Sequence, residues 1–154
     1  MVINLNHQGD GNWCAPPPGS FKCNVDAASF TSSNLTRFGI VIRDELGAFV
    51  KGCTSTVTGL FVSKEGEVMA LIAAIKWVTS MDIQNVVFET DALVVWKALR
   101  APASDLSEFG SLVHECSSLL QQGINFSVAC VKRQTNTVTH SLARTSYCSV
   151  NPCI

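Results

Sequence analysis

The chain has 154 residues, of which 47% are hydrophobic and 15% charged, and its formal net charge is -1. This composition is typical of one globular domain of ordinary size and excludes an intrinsically disordered chain. A net charge near zero also excludes a strong overall attraction to nucleic acid, so binding to a polyanion would need a local basic patch. No apolar run approaches the ~20 residues that span a bilayer, and the first residues show no signal-peptide pattern. We therefore expect a cytoplasmic or nuclear protein, and we expect it to be a monomer.

Three β-strands are predicted in the first part of the chain. FKCNVDAASF (21–30) and RFGIVIRD (37–44) alternate apolar with other residues, and AFVKGCTSTVTG (48–59) is rich in β-branched residues. Alternation with a period of two is typical of strands. The stretch DELG (44–47) has Asp at the first position and Gly at the fourth, as in a type I turn. The second and third strands are therefore predicted to pair as an antiparallel hairpin.

The hydrophobic period then changes to that of helices. Apolar residues recur every three or four positions after Ser63, the predicted N-cap, which indicates a long helix. A second long helix is predicted to end at Gly123, a natural C′ residue. The remaining elements are a buried strand (85–91), a short helix (92–100), the second long helix (105–122), a strand (124–131) and a last helix (136–147). The predicted element order is βββαβααβα.

Seven cysteines occur, an odd number, and none forms a C-x-x-C pair. Cys23 and Cys130 fall on the apolar phase of predicted strands, and Cys116 falls on the apolar stripe of a helix. This pattern argues against a zinc ribbon. Reduced, buried thiols that pack as small hydrophobes are therefore expected.

Three acidic residues stand out by their positions. Asp26 lies inside the first strand, Glu67 near the start of the first long helix, and Asp91 where the fourth strand passes into a helix. Strand ends and helix starts are where ligand sites gather in α/β sheets. Three carboxylates that meet there could not all stay ionised without a cation, and magnesium takes oxygen ligands.

Each of these carboxylates also has a simpler interpretation. Asp91 has the position of an N-cap, and Glu67 has the position of a surface charge favoured by the helix dipole. For Asp26, a salt bridge to Lys22 or Lys132 would compensate its charge.

The sequence resembles the plant ribonuclease H-like domain that is related to the reverse transcriptases of non-LTR retrotransposons. Five stretches carry the resemblance, in the same order as in that family. They are WCAPPPGSFKCNVDA (13–27), FGIVIRDELG (38–47), GEVMAL (66–71), FETDA (88–92) and VKRQTNTVTHSLA (131–143). The resemblance implies an α/β, ribonuclease H-like domain over residues 13–147, with a five-stranded mixed sheet flanked by helices. Residues 1–12 then form a disordered or extended lead-in, and residues 148–154 a short tail.

The family resemblance also implies an activity. Such domains bind two divalent ions, Mg²⁺ or Mn²⁺, on acidic residues and hydrolyse the RNA strand of an RNA–DNA hybrid. On this basis Asp26, Glu67 and Asp91 are the expected metal ligands and catalytic residues. His140 occupies the fourth catalytic position.

The fourth position departs from active bacterial-type ribonucleases H, which have an aspartate there. Here the sequence is Asn136-Thr137-Val138-Thr139-His140. Neutral imidazole suits magnesium poorly, and the preceding VKRQT (131–135) is too short for a mobile catalytic histidine. An alternative is therefore a catalytically inactive domain that binds nucleic acid or a protein partner.

Contacts to a nucleic-acid backbone require polar or basic side chains near the carboxylates. Lys22, Lys132 and Arg133 are the basic candidates, and Asn24 is the candidate to reach a sugar or phosphate. The linker 101–108 has no lysine, so the basic protrusion that helps some relatives bind a hybrid is absent. Few phosphate contacts predict weak, salt-sensitive binding.

Overall fold

The structure is a computed structural model, and it describes residues 16–102 and 104–133. Its elements in chain order are β1 (Phe21–Phe30), β2 (Leu35–Arg43), β3 (Phe49–Thr58), α1 (Ser63–Ser80), β4 (Val86–Thr90), α2 (Leu93–Arg100), α3 (Glu108–Gln122) and β5 (Phe126–Cys130). Each of them lies where the sequence pattern predicted it. The predicted lead-in, last helix and tail lie outside the described residues, as does His140.

The five strands form one mixed sheet in the order β3-β2-β1-β4-β5. β1 pairs antiparallel with β2, and β2 pairs antiparallel with β3, which confirms the predicted hairpin. Asp44 closes that hairpin, because its Oδ1 accepts hydrogen bonds from the backbone N–H groups of Leu46 and Ala48, each at 2.9 Å. β4 pairs parallel with both β1 and β5. The first and fourth strands are therefore parallel neighbours, and their C-terminal ends point to the same edge of the sheet.

The core lies between the sheet and helices α1 and α3. α1 packs on β1 and on α3, and buried side chains occur all around it, as expected for a helix covered on most of its circumference. Phe88 of β4 meets Phe126 of β5 edge to face, with ring centroids 5.2 Å apart. None of the helices within the described residues combines the length and apolar character needed to cross a membrane.

Three local predictions need correction. The N-cap of α1 is Val62, without a side-chain hydrogen bond, so Ser63 is the first helical residue rather than the cap. Gly123 ends α3 as predicted, but with φ −75°, and it is Asn125 that adopts the left-handed conformation, with φ 58°. Cys23, Cys116 and Cys130 are free thiols as predicted, whereas Cys53 is disulfide-bonded.

The reason for a glycine at position 123 is close packing. A Cβ atom there would lie 1.9 Å from Cδ2 of Phe126, whose ring belongs to the core. We expect Gly123→Ala to lower the free energy of unfolding by about 1–3 kcal/mol, because the ring must move out of a packed position. Urea unfolding of the variant measures this loss.

Gly66→Ala is the matched control. Its Cβ atom would lie 3.8 Å from Cβ of Ala27, an ordinary contact, and alanine favours a helix over glycine by about 0.5–1 kcal/mol. This variant is expected to be neutral or slightly stabilised. Equal losses in the two variants would contradict the packing explanation.

Candidate metal centre

The sheet topology brings two of the three predicted carboxylates to one place. Asp26 is the sixth residue of β1, and Asp91 follows the last residue of β4. Since β1 and β4 are parallel neighbours, both aspartates lie towards the same edge of the sheet. Glu67 is the fifth residue of α1, the helix that packs on β1. The third carboxylate thus comes from a helix that packs on one face of the sheet.

Asp26, Glu67 and Asp91 form one cluster. Each offers a carboxylate oxygen, and these oxygens lie within 4.8 Å of one another. Asp26 is 2% exposed, and the other two side chains are partly buried. The N-cap interpretation of Asp91 is wrong, because Ala92 occupies the N-cap position of α2.

The electrostatics of the cluster are most visible at Glu67. Burial, together with the neighbouring negative charges of Asp26 and Asp91, raises the pKa of its carboxyl to about 9. The protonated carboxyl also donates a hydrogen bond to Asp26, whereas the backbone N–H of Ala27 donates to Glu67 and opposes the shift. The surface-charge interpretation of Glu67 therefore does not fit its environment. Without a cation, the cluster holds a proton at neutral pH.

The cluster fits a divalent cation. Its donors are all carboxylate oxygens, the ligands that magnesium and manganese prefer. Glu67 Oε2 is buried and has no hydrogen-bond partner among the described residues, although buried oxygens in proteins are normally paired. A cation held by Asp26, Glu67 and Asp91 would satisfy this oxygen and remove the repulsion among the three charges.

A cavity of about 330 Å³ opens beside the cluster, and the three carboxylates line it. Arg133 also lines it, as the sequence predicted for a residue near the site, whereas Lys132 is exposed and is not part of the lining. Residues that sequence reasoning missed are Ser29, Phe61 and Ser63. Ser63 could have been found from spacing alone, because residues four apart on a helix share a face, and Glu67 is four positions further on.

Lys22 and Asn24 have a different role from the predicted one. Both side chains are 3% exposed. Lys22 Nζ lies 2.6 Å from Oε1 of Glu89, and Asn24 Nδ2 donates to Oε2 of the same carboxylate at 2.9 Å. A nucleic-acid strand cannot reach either residue, which contradicts the prediction that they contact one.

The sequence matches a known protein family. The reverse transcriptase-like family matches residues 24–146. The chain belongs to that family. A protein of Arabidopsis thaliana with the name "Putative ribonuclease H protein" is 26% identical over 135 residues, which cover 88% of this chain. The chain spans only 22% of the length of this curated relative.

Solved structures show which fold this reverse transcriptase-like domain has. It resembles ribonuclease H1 of the archaeon Halobacterium salinarum with a TM-score of 0.70 and 23% identity, over 80% of this chain and 93% of that one. It also resembles LC11 ribonuclease H1, solved in complex with an RNA/DNA hybrid, with a TM-score of 0.66 and 16% identity over 80% and 93% of the two chains. The predicted ribonuclease H-like fold, with its five-stranded mixed sheet, is confirmed.

Proposed function

We propose that this chain is a ribonuclease of the ribonuclease H type that hydrolyses the RNA strand of RNA–DNA hybrids with the help of Mg²⁺ or Mn²⁺. The observation that carries the proposal is the cluster of Asp26, Glu67 and Asp91, whose oxygens lie within 4.8 Å of one another beside an open cavity. A cluster of this kind is costly unless a cation occupies it. The stability of the fold alone therefore does not account for such a cluster.

Each residue at the site has a proposed role. Asp26, Glu67 and Asp91 hold the divalent ions, and Arg133 in the cavity wall contacts a substrate phosphate. Two divalent ions bound there would supply Lewis acidity towards the phosphate and would lower the pKa of an attacking water. Glu67 must lose its proton before the three carboxylates can all carry charge, so metal binding to this site would release a proton. His140 is proposed as an additional residue lining the site.

The choice of substrate is supported by relatives. LC11 ribonuclease H1 was solved with an RNA/DNA hybrid, and the name of the Arabidopsis relative refers to ribonuclease H. Membership of the reverse transcriptase-like family and the match to an Arabidopsis protein support the proposed origin in a plant, retrotransposon-related element. A cytoplasmic or nuclear location and a monomeric state stay predictions from the sequence.

A second function is favoured by one specific observation, which is that the segment 136–140 supplies a histidine where a fourth carboxylate is expected. A site with three carboxylates carries less negative charge and binds two cations less tightly. In this alternative the domain keeps the fold and binds nucleic acid or a protein partner without cleavage.

Incubation with a hybrid labelled on its RNA strand separates the two functions. The wild-type protein is expected to cleave the RNA strand in magnesium or manganese and to leave it intact in EDTA. Asp26→Asn is expected to lower the cleavage rate at least about 10²-fold, because a ligand charge is lost. Asp82→Asn, an exposed aspartate in a turn, is the matched control and should cleave as the wild type does. Hybrid binding in EDTA without any cleavage in either metal would instead support the binding module.

A further inference from the structure

A buried polar network lies directly behind the candidate metal centre. Glu89 is its central residue: its Oε1 lies 2.6 Å from Nζ of Lys22, and its Oε2 accepts a hydrogen bond of 2.9 Å from Nδ2 of Asn24. The exposed fractions are 3% for Lys22, 3% for Asn24 and 1% for Glu89. One positive and one negative charge are thus enclosed together, and the network adds no net charge to the site.

The network lies at the end of the ladder between β1 and β4. Asn24 and Glu89 are direct partners in the parallel pairing of β1 with β4, and theirs is the last pair of that ladder. Asp26 lies two residues beyond Asn24, and Asp91 lies two residues beyond Glu89. Because side chains repeat with a period of two along a strand, Asn24 and Asp26 share one face of β1. The network therefore joins the two strands at the last point where they are paired, one step before the two metal-binding aspartates.

Stability does not explain the network. Replacing a buried ion pair by well-packed apolar residues often leaves a protein equally or more stable, and apolar residues such as Cys23 and Phe88 fill neighbouring buried positions of the same two strands. A buried ion pair does, however, resist displacement strongly, because separating its partners leaves an uncompensated charge out of water. Ion pairs and hydrogen bonds are also directional, so the contacts of Glu89 with Lys22 and Asn24 favour one arrangement of β1 and β4 at this point.

We propose that Lys22, Asn24 and Glu89 are positioning residues that set the separation between Asp26 and Asp91 and so tune the affinity of the site for divalent cations. This inference rests on the proposed metal-dependent function. It gives Lys22 and Asn24, which cannot contact substrate, a role in the same site.

The test replaces the network with apolar side chains of similar volume. In Lys22→Met/Asn24→Leu/Glu89→Met, the melting temperature in EDTA is expected to equal or exceed that of the wild type. The dissociation constant for Mn²⁺, measured by isothermal titration calorimetry, is expected to rise roughly 10–100-fold, as for other residues that orient metal ligands. A purely structural role would not weaken metal binding in a variant that keeps its stability.

The exposed salt bridge between Lys76 and Glu115 provides a matched control. Its atoms lie 3.2 Å apart and its side chains are 56% and 49% exposed. Lys76→Met/Glu115→Gln removes one ion pair, as the test variant does, but away from the cluster. This control is expected to bind Mn²⁺ with wild-type affinity.

The outcomes separate the two proposals. A wild-type protein that binds no Mn²⁺ would overturn the metal-dependent function, and the positioning role with it. A wild type that binds Mn²⁺ and a folded triple variant with the same affinity would overturn the positioning role alone.

If the triple variant does not fold, Lys22→Met/Glu89→Gln takes its place, since it retains a hydrogen-bonding partner for Asn24. Its dissociation constant is expected to rise roughly 3–10-fold, and an unchanged value would overturn the positioning role.

Discussion

Asp91→Asn is expected to abolish the rise in melting temperature that magnesium gives to the wild-type protein. A ligand that binds only the native state stabilises it by about 2.7 kcal/mol when its concentration is 100 times the dissociation constant. For a domain of this size, this corresponds to a rise of about 5–10 °C. The asparagine keeps the shape of the side chain but removes one of the three charges that make the cluster a cation site. Thermal unfolding with and without magnesium measures the effect.

The same variant should behave in the opposite way in EDTA. The charge of Asp91 contributes to the raised pKa of Glu67, so its removal relieves repulsion within the cation-free cluster. Asp91→Asn is therefore expected to be at least as stable as the wild type in EDTA and less stable in magnesium. Asp82→Asn should respond to magnesium as the wild type does. A magnesium response that survives in Asp91→Asn would remove this residue from the metal site.

Much of this site could be predicted from the sequence because its parts depend on local patterns. An aspartate within a strand, a glutamate at a helix start and an aspartate after a strand are visible as Asp26, Glu67 and Asp91. The change from a period of two to a helical period predicted the order of elements, and the family resemblance added the five-stranded mixed sheet. Together they predicted the cluster that the structure contains.

Other features could not be predicted, because they depend on which side chains contact each other in the folded protein. Alternation along β1 predicted which residues share a face with Asp26, but not that Glu89 would neutralise Lys22. From the sequence alone, Lys22 and Asn24 are therefore predicted to contact nucleic acid. In the same way, the sequence predicts Gly123 as the C′ residue of a helix. The reason for the glycine is instead that any Cβ atom at this position would collide with the ring of Phe126. Tertiary contacts between distant segments decided both cases.

Glu67→Gln is expected to stabilise the protein in EDTA, and the gain should increase with pH. The pKa of Glu67 is raised from 4.5 to about 9 in the native state, so between these pH values the native protein binds a proton that the unfolded chain has released. The free energy of unfolding then falls as pH rises, by at most about 1.4 kcal/mol per pH unit. Glutamine resembles the protonated carboxyl and does not titrate. The two proteins should be similarly stable near pH 5 and should differ by a few kcal/mol at pH 8.

Glu65→Gln is the matched control, because Glu65 lies in the first turn of the same helix and outside the cluster. This substitution removes a favourable interaction with the helix dipole and should cost about 0.3–1 kcal/mol, without the rising gain between pH 5 and pH 8. Urea unfolding in EDTA at several pH values measures both variants. A constant difference between Glu67→Gln and the wild type over this range would show that Glu67 is not held protonated by its neighbours.

Magnesium should remove most or all of this difference in stability at pH 8. Cation binding requires the carboxylates in their ionised form, so it draws the proton from the wild-type cluster and stabilises the native state. Glu67→Gln has lost one ligand charge and gains little from the ion. The wild type is therefore expected to be the less stable protein in EDTA and to recover most or all of the difference in saturating magnesium. A carboxylate that destabilises the cation-free protein and stabilises the loaded one is maintained for binding the cation rather than for the fold.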